Sequence, residues 1–508
     1  MMPEGADNLD VRYNVIQWVH RSTRGWSYGN SVTDPRTGEI IKGHVSLGSL
    51  RVRQDYLLAE GLLSPYLDGD EEPAELAEMA LARIRQLSAH EVGHTLGLGH
   101  NYYASSKGRI SVMDYPHPLV TLNQDGVFDV SDAYDVGIGA WDKVAITYGY
   151  QDFAERVDAP AALDKMLTDA WVEDIRYMTG QDTDANPRVH IWANGTDPAA
   201  ELHRMMDVRG AALARFGEAA VRNGTPLALL EEALVPLFLH HRFQIDAAAS
   251  TLGGLDYIYA MRGDGRDPVS VIPAIEQRAA LRALMRTLQA GELTIPESVI
   301  DLIPPRPAGF GRHRELFPRF TGAMFDRVTP AIVVADMTVA NILQPARSAR
   351  LVEQHALDAA IPGLVEVIDT LVETTFNVLS SDRYEVEVQR AVQRVVVDRL
   401  IRLASVAPMA QVRAVSAYWL EDLVHRITES TGLGGWQARI NDSTVGGMEA
   451  SAHFEALSRD ILRFLNRPGG IVEPWEAPAV PPGSPIGDPA LRWLPEPFCS
   501  EPFVVSGW

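Results

Sequence analysis

The sequence predicts an α+β fold in which a small twisted sheet and one strong helix precede a mostly α-helical C-terminal region. Three observations predict it. Short β-rich runs cluster near the start of the chain, an amphipathic helix follows them, and from about residue 152 to residue 465 one helical pattern succeeds another. A length of 508 residues leaves room for roughly two to four domains at about 150 residues each. The expected division is 1–150 for the sheet-bearing part, 151–303 and 330–466 for two helical halves, and 467–508 for a Pro-rich tail. The break between the halves is the Pro-, Gly- and Arg-rich stretch 304–329. No fixed-period repeat supports a solenoid.

Each element has its own signal. Residues 12–19 (RYNVIQWV) are β-rich with apolar side chains on both faces, as in a buried strand. Residues 26–32 and 39–47 flank Asp34-Pro35-Arg36-Thr37-Gly38, whose Pro and Gly are turn chemistry, so a hairpin is expected. In the second arm Val45 and Leu47 alternate with His44, Ser46 and Gly48, the pattern of a sheet edge with one buried face. Pro73 is placed to open a helix. Leu76, Ala80, Ile84 and Leu87 then give it one apolar stripe, running into residues 90–97. Later helices are expected at 202–222, 227–252, 275–290, 363–379, 385–404 and 410–430.

Composition excludes several classes. Hydrophobic residues are 46% and charged residues 22%, ordinary globular usage, which excludes a disordered chain, a collagen-like repeat and a coiled-coil rod. A formal charge of −22 makes nucleic acid an unsuitable partner for the surface as a whole. The single cysteine, Cys499, allows neither an intramolecular disulfide nor a thiolate metal cluster. No run of 18 apolar residues occurs, so no membrane span is expected. Residues 1–10 (MMPEGADNLD) have neither a basic n-region nor an apolar h-region, so no signal peptide is expected.

Chemistry concentrates at residues 90–100, H-E-V-G-H-T-L-G-L-G-H. His90 and His94 are one helical turn apart, so both imidazoles project from one face and can bind one Zn²⁺. Glu91 is placed to take a proton from water activated there. Gly97 can bend the chain so that His100 returns as a third ligand. Three protein ligands and an open position form a catalytic rather than a structural zinc site. With these residue frequencies, a chance match is under about one in ten thousand. A dozen residues on comes Ser111-Val112-Met113-Asp114-Tyr115-Pro116. A Met in a loop is usually core packing, but beside an extended zinc motif it matches a Met-turn.

On these residues the sequence resembles the metzincin clan of zinc endopeptidases. More closely it is similar to bacterial zinc-dependent metalloproteases with a Met-zincin domain and a long helical C-terminal region. Supporting segments are WVHRSTRGWSYGNSVTDPRTGEIIKGHVSLGS, HEVGHTLGLGHNYYAS, SVMDYP, SDAYDVGIGAWDKVAITYGY and GGLDYIYAMRGDG. The resemblance implies one catalytic Zn²⁺ on His90, His94 and His100, Glu91 as general base and proton shuttle, and Met113 as a floor beneath the metal. It offers Tyr115 a place at the zinc or the oxyanion; an aromatic packed beside the Met-turn is the alternative. It also implies a peptide or protein substrate, added as an extended strand along the edge near residues 44–49, and an extracytoplasmic (periplasmic or secreted) location. Metzincins usually have a strand and a long helix before the strand placed at 12–19, so an N-terminally incomplete catalytic domain is expected, with apolar surface left uncovered.

Other features carry weaker signals. His240 and His241 point about 100° apart on a helix and suit packing or surface roles. Asp125, Asp129, Asp132 and Asp135 miss the spacing of a calcium loop and suit a solvated loop or caps. The Arg262-Gly263-Asp264 triplet suits a turn, and His44 an exposed edge. In the tail, Trp475, Trp493, Phe498 and Trp508 suggest docking on the body. Two functions compete: an active zinc endopeptidase, favoured by Glu91, and a proteolytically inactive zinc-binding fragment whose helical region is a scaffold, favoured by the short N-terminus. A gluzincin-type enzyme is disfavoured by His100, six residues after His94.

Overall fold

A computed structural model describes residues 2–3, 5–20, 27–67, 74–191, 194–377, 380–428, 447–466 and 480–481. The first sheet holds β1 (Val15–Val19), β2 (Tyr28–Thr33) and β3 (Ile40–Gly48) in the order β1-β3-β2. β1 runs parallel to β3, with Val15 opposite His44 and Val19 opposite Gly48. β2 and β3 are the expected antiparallel hairpin, with Tyr28 opposite Ser46. Its turn closes through Asp34, whose carbonyl accepts Gly38 N–H at 2.8 Å, and Gly38 supplies the required positive φ of 77°.

Two expectations need correction. β3 is the central strand, and its residues 44–46 are paired on both sides, so they offer no free edge; the edge strand of the hairpin is β2. β1 is not buried on both faces: Val15 is buried, but Ile16 and Trp18 are 64% and 43% exposed. Alternation within a strand reveals its faces and says nothing of which strand lies beside it.

A helix the sequence reading omitted, α1 (Leu50–Leu63), follows the sheet directly and ends at Ser64 in the left-handed region. The helix that carries His90 and His94 is α2 (Ala74–Thr95); its proposed opening residue Pro73 lies outside the described residues. Sheet and helix pack closely because two glycines allow it. A Cβ at Gly29 would overlap the Glu91 carbonyl, and one at Gly43 would meet Thr95 Cβ at 3.0 Å. Val45 and Leu47 of β3 pack with Leu87 of α2 and with Tyr102, Tyr115, Met178 and Phe243.

After a small ladder, β4 (Thr121–Leu122) with β5 (Phe128–Asp129), come α3 (Ala140–Tyr150), α4 (Ala159–Val172) and α5 (Pro198–Leu213). Asp158 and Asp197 cap α4 and α5 by accepting helix N–H groups. The helix expected at 202–222 thus starts earlier and stops at Leu213. The one expected at 227–252 is two helices, α6 (Leu230–Phe238) and α7 (Arg242–Ser250). Pro236 lies within α6 and lacks the N–H that would continue the ladder. Then follow the hairpin β6 (Leu255–Tyr257) and β7 (Val269–Val271), and α8 (Ala274–Arg286), α9 (Ala290–Leu293), α10 (Glu297–Ile300), α11 (Thr329–Ile342), α12 (Pro345–Leu357), α13 (Leu364–Phe376), α14 (Arg383–Val406), α15 (Ala410–Thr428) and α16 (Gly447–Leu465).

One buried apolar cluster includes Leu58 and Leu62 of α1, Leu76 and Met79 of α2, and side chains of α5 to α8, α11, α14, α15 and α16. Val480 packs against it, and Pro481 accepts a hydrogen bond from Arg242 at 2.6 Å. The tail aromatics lie outside the described residues. Among the described residues no helix is long and apolar enough to cross a membrane.

Candidate metal centre

The last turns of α2 carry His90, Glu91 and His94. Beyond Thr95 the chain turns at Gly97, whose φ of 84° few side chains tolerate. Gly97 N–H and Leu98 N–H bond back to the His94 and Gly93 carbonyls at 3.0 and 3.1 Å. That bend returns His100 to the helix face. The nearest ring nitrogens of the three histidines lie within 4.8 Å of one another. His94 Nε2 is 3.1 Å from His90 Nε2 and 3.2 Å from His100 Nε2.

This donor set suits a cation. His90 Nδ1 lies 2.7 Å from the Val112 carbonyl, and His94 Nδ1 lies 2.9 Å from the Leu98 carbonyl. A carbonyl only accepts, so both Nδ1 atoms carry the proton and both Nε2 atoms present lone pairs. Lone pairs converging at this distance repel unless a positive ion lies between them. Tetrahedral zinc with Zn–N of about 2.05 Å needs nitrogens about 3.3 Å apart, close to the spacing found. Burial, foremost, holds His90 and His100 well below the ordinary imidazole pKa and lowers His94. All three are therefore neutral, the form that ligates.

Glu91, next to the first histidine, is 3% exposed. Tyr115 Oη lies 2.8 Å from His100 Nε2, so its hydroxyl reaches the nitrogen cluster rather than packing only as an aromatic. Met113 is fully buried, and its sulfur lies against α2 where a Cβ at Gly93 would stand. The glycine of H-E-V-G-H therefore leaves room for the methionine beneath the histidines.

Three residues that the sequence reading missed hold this assembly. Asp142, in the first turn of α3, accepts from Ser111 Oγ at 2.6 Å, Val112 N–H at 2.8 Å and Gly139 N–H at 2.6 Å. Gln86, one turn before His90, donates to the Val112 carbonyl at 3.0 Å. Asn101 donates its own N–H to the Met113 carbonyl at 2.8 Å. Its side chain bonds the Arg176 carbonyl at 2.8 Å and Met178 N–H at 3.3 Å. Asp142 and Asn101 lie in two of the quoted segments, which pointed to no role for either. Burial pushes the Asp114 carboxyl, between Met113 and Tyr115, up to about 7.

The remaining candidates separate from the site. His44 sits half-buried on β3, opposite Val15 and Asn30. His240 and His241 are 2% and 0% exposed, which leaves packing and excludes the surface role. Asp129 and Asp135 accept the N–H groups of Ser131 and Val136. Among the described residues the three histidines are the metal-capable group. Asp264 accepts Met261 N–H and Arg266 N–H, the expected turn.

A family model described as Met-zincin matches residues 72–383, more than half of the chain and the whole of this site. No curated protein and no solved structure matches the chain.

Proposed function

The chain belongs to the Met-zincin family, and from that premise we propose that it is a zinc-dependent endopeptidase. The observation that carries this reading is the convergence of His90, His94 and His100, with the Tyr115 hydroxyl at His100 and Met113 against Gly93. The three Nε2 atoms would hold the ion. When bound, zinc supplies the Lewis acidity that makes water a nucleophile near neutral pH and polarises a carbonyl.

The chain's own residues do the rest. Carbonyls of Val112 and Leu98 fix the His90 and His94 rings. Glu91 takes the proton of the attacking water and passes it to the leaving amine. The Tyr115 hydroxyl donates a hydrogen bond to the developing oxyanion. A peptide adds as a further strand beside β2, an edge strand of the sheet among the described residues, which passes over the Glu91 backbone at Gly29. The same reading places the reaction outside the cytoplasm, on the family resemblance alone.

The test is digestion of a mixed peptide library by the full-length, zinc-loaded chain, with products mapped by mass spectrometry. Internal cleavages that stop on chelation and resume with zinc are expected. Absence of any cleavage by a zinc-loaded chain overturns the endopeptidase reading and leaves the zinc-binding scaffold.

A further inference from the structure

The Val112 carbonyl, acceptor for His90, has a second lone pair, and Gln86 Nε2 occupies it at 3.0 Å. Gln86 and His90 are four residues apart on α2, so both reach the same carbonyl from one helix face. A glutamine amide can turn either way, and only one orientation presents N–H to a carbonyl. Arg83 decides which. Its guanidinium, a donor only, contacts Gln86 Oε1 and leaves Nε2 to face Val112.

Arg83 is itself fixed. It is fully buried, and its guanidinium carbon lies 5.4 Å from the centre of the Tyr134 ring. The Tyr134 hydroxyl donates to Asp55 of α1 at 3.0 Å. A polar chain thus runs from α1 through Tyr134, Arg83 and Gln86 to the carbonyl that orients His90.

We propose that Gln86, locked by Arg83, is a positioning residue for the zinc ligand His90. It holds the Val112 carbonyl where the His90 Nδ1 proton needs it, and so aims the Nε2 lone pair at the metal. The inference rests on the zinc reading of the site and concerns what tunes its affinity.

Two variants separate positioning from packing. Gln86→Leu keeps most of the volume and loses the donor. Gln86→Glu keeps the shape, strengthens the contact with Arg83, and turns an acceptor toward the Val112 carbonyl. Zinc affinity is read by chelator competition, the pH of zinc release by titration, and ligand geometry by the visible spectrum of the cobalt-substituted chain. Both variants are expected to bind zinc about ten- to a hundredfold more weakly and to release it at higher pH. The Gln86→Glu apoprotein should unfold no more easily than the parent. Parental affinity, release pH and cobalt spectrum in both variants overturn the inference alone. A parent chain that binds no zinc overturns the zinc reading and this inference with it.

Discussion

A single methyl group at position 93 would disturb the site. The Cβ of Gly93→Ala would fall on the sulfur of the fully buried Met113. Overpacking of this kind costs about 1–3 kcal/mol. Gly93→Ala should therefore lower the unfolding midpoint and weaken zinc binding together, whereas substitution at Gly149, where a Cβ meets nothing within 4 Å, should do neither. Calorimetry with and without zinc checks both. At this scale the three-histidine cluster was legible in the sequence, because helical period and a bend glycine place it within eleven consecutive residues. Their supports were not. Asp142 lies 31 residues from Ser111, Gln86 lies 26 from Val112, and the Asn101 side chain reaches across 75 residues to Arg176. Contacts at such separations leave no periodic trace in one sequence.

Between elements, Asp142 is the tie that joins α3 to the Met-turn. It accepts three hydrogen bonds and is 1% exposed. Asp142→Ala leaves Ser111 and Val112 with buried donors unsatisfied, at about 1–3 kcal/mol for each such group, and also frees the half-buried Gly139 N–H. Urea unfolding should show a loss of that order, with a smaller loss for Asp142→Asn, which keeps one acceptor. An unchanged midpoint in Asp142→Ala would contradict the tie. The hairpin of β2 and β3 was legible because its turn is local. The order β1-β3-β2 was not, since neither strand's own pattern says which strand lies beside it. The break between α6 and α7 falls at Leu239, His240 and His241, where no Gly or Pro marks it in the sequence.

Across the whole molecule, one apolar cluster joins α1 and α2 to the helices beyond residue 150. Burying a side chain such as Leu58, Leu62, Leu76 or Met79 contributes about 1.5–3 kcal/mol, so a fragment of residues 1–150 should show no cooperative unfolding transition by calorimetry. Acid should also weaken the fold. His117, His190, His240 and His241 are at most 2% exposed, and each has ring nitrogen without a hydrogen-bond partner. Burial, foremost, pushes His117 down to about 3 and His190 to about 4, and holds His240 and His241 well below the ordinary value. Arg204, Arg242, Arg209 and Arg188 act in the same direction. Above pH 6.5 these rings are neutral in both states. Below it the unfolded chain takes up protons that the folded chain refuses, so stability falls by up to about 1.4 kcal/mol per pH unit for each ring. Denaturant midpoints measured between about pH 7 and about pH 5 should fall steadily; a flat profile would contradict this. The proposed function makes Glu91 the proton carrier at a zinc ion held by three histidines. Its most direct test is Glu91→Gln in the full-length chain, with zinc content and peptide hydrolysis measured on the same sample. One zinc per chain with hydrolysis reduced by about 10²- to 10⁴-fold is the expected result. Hydrolysis at the parental rate, or loss of zinc along with activity, would contradict it.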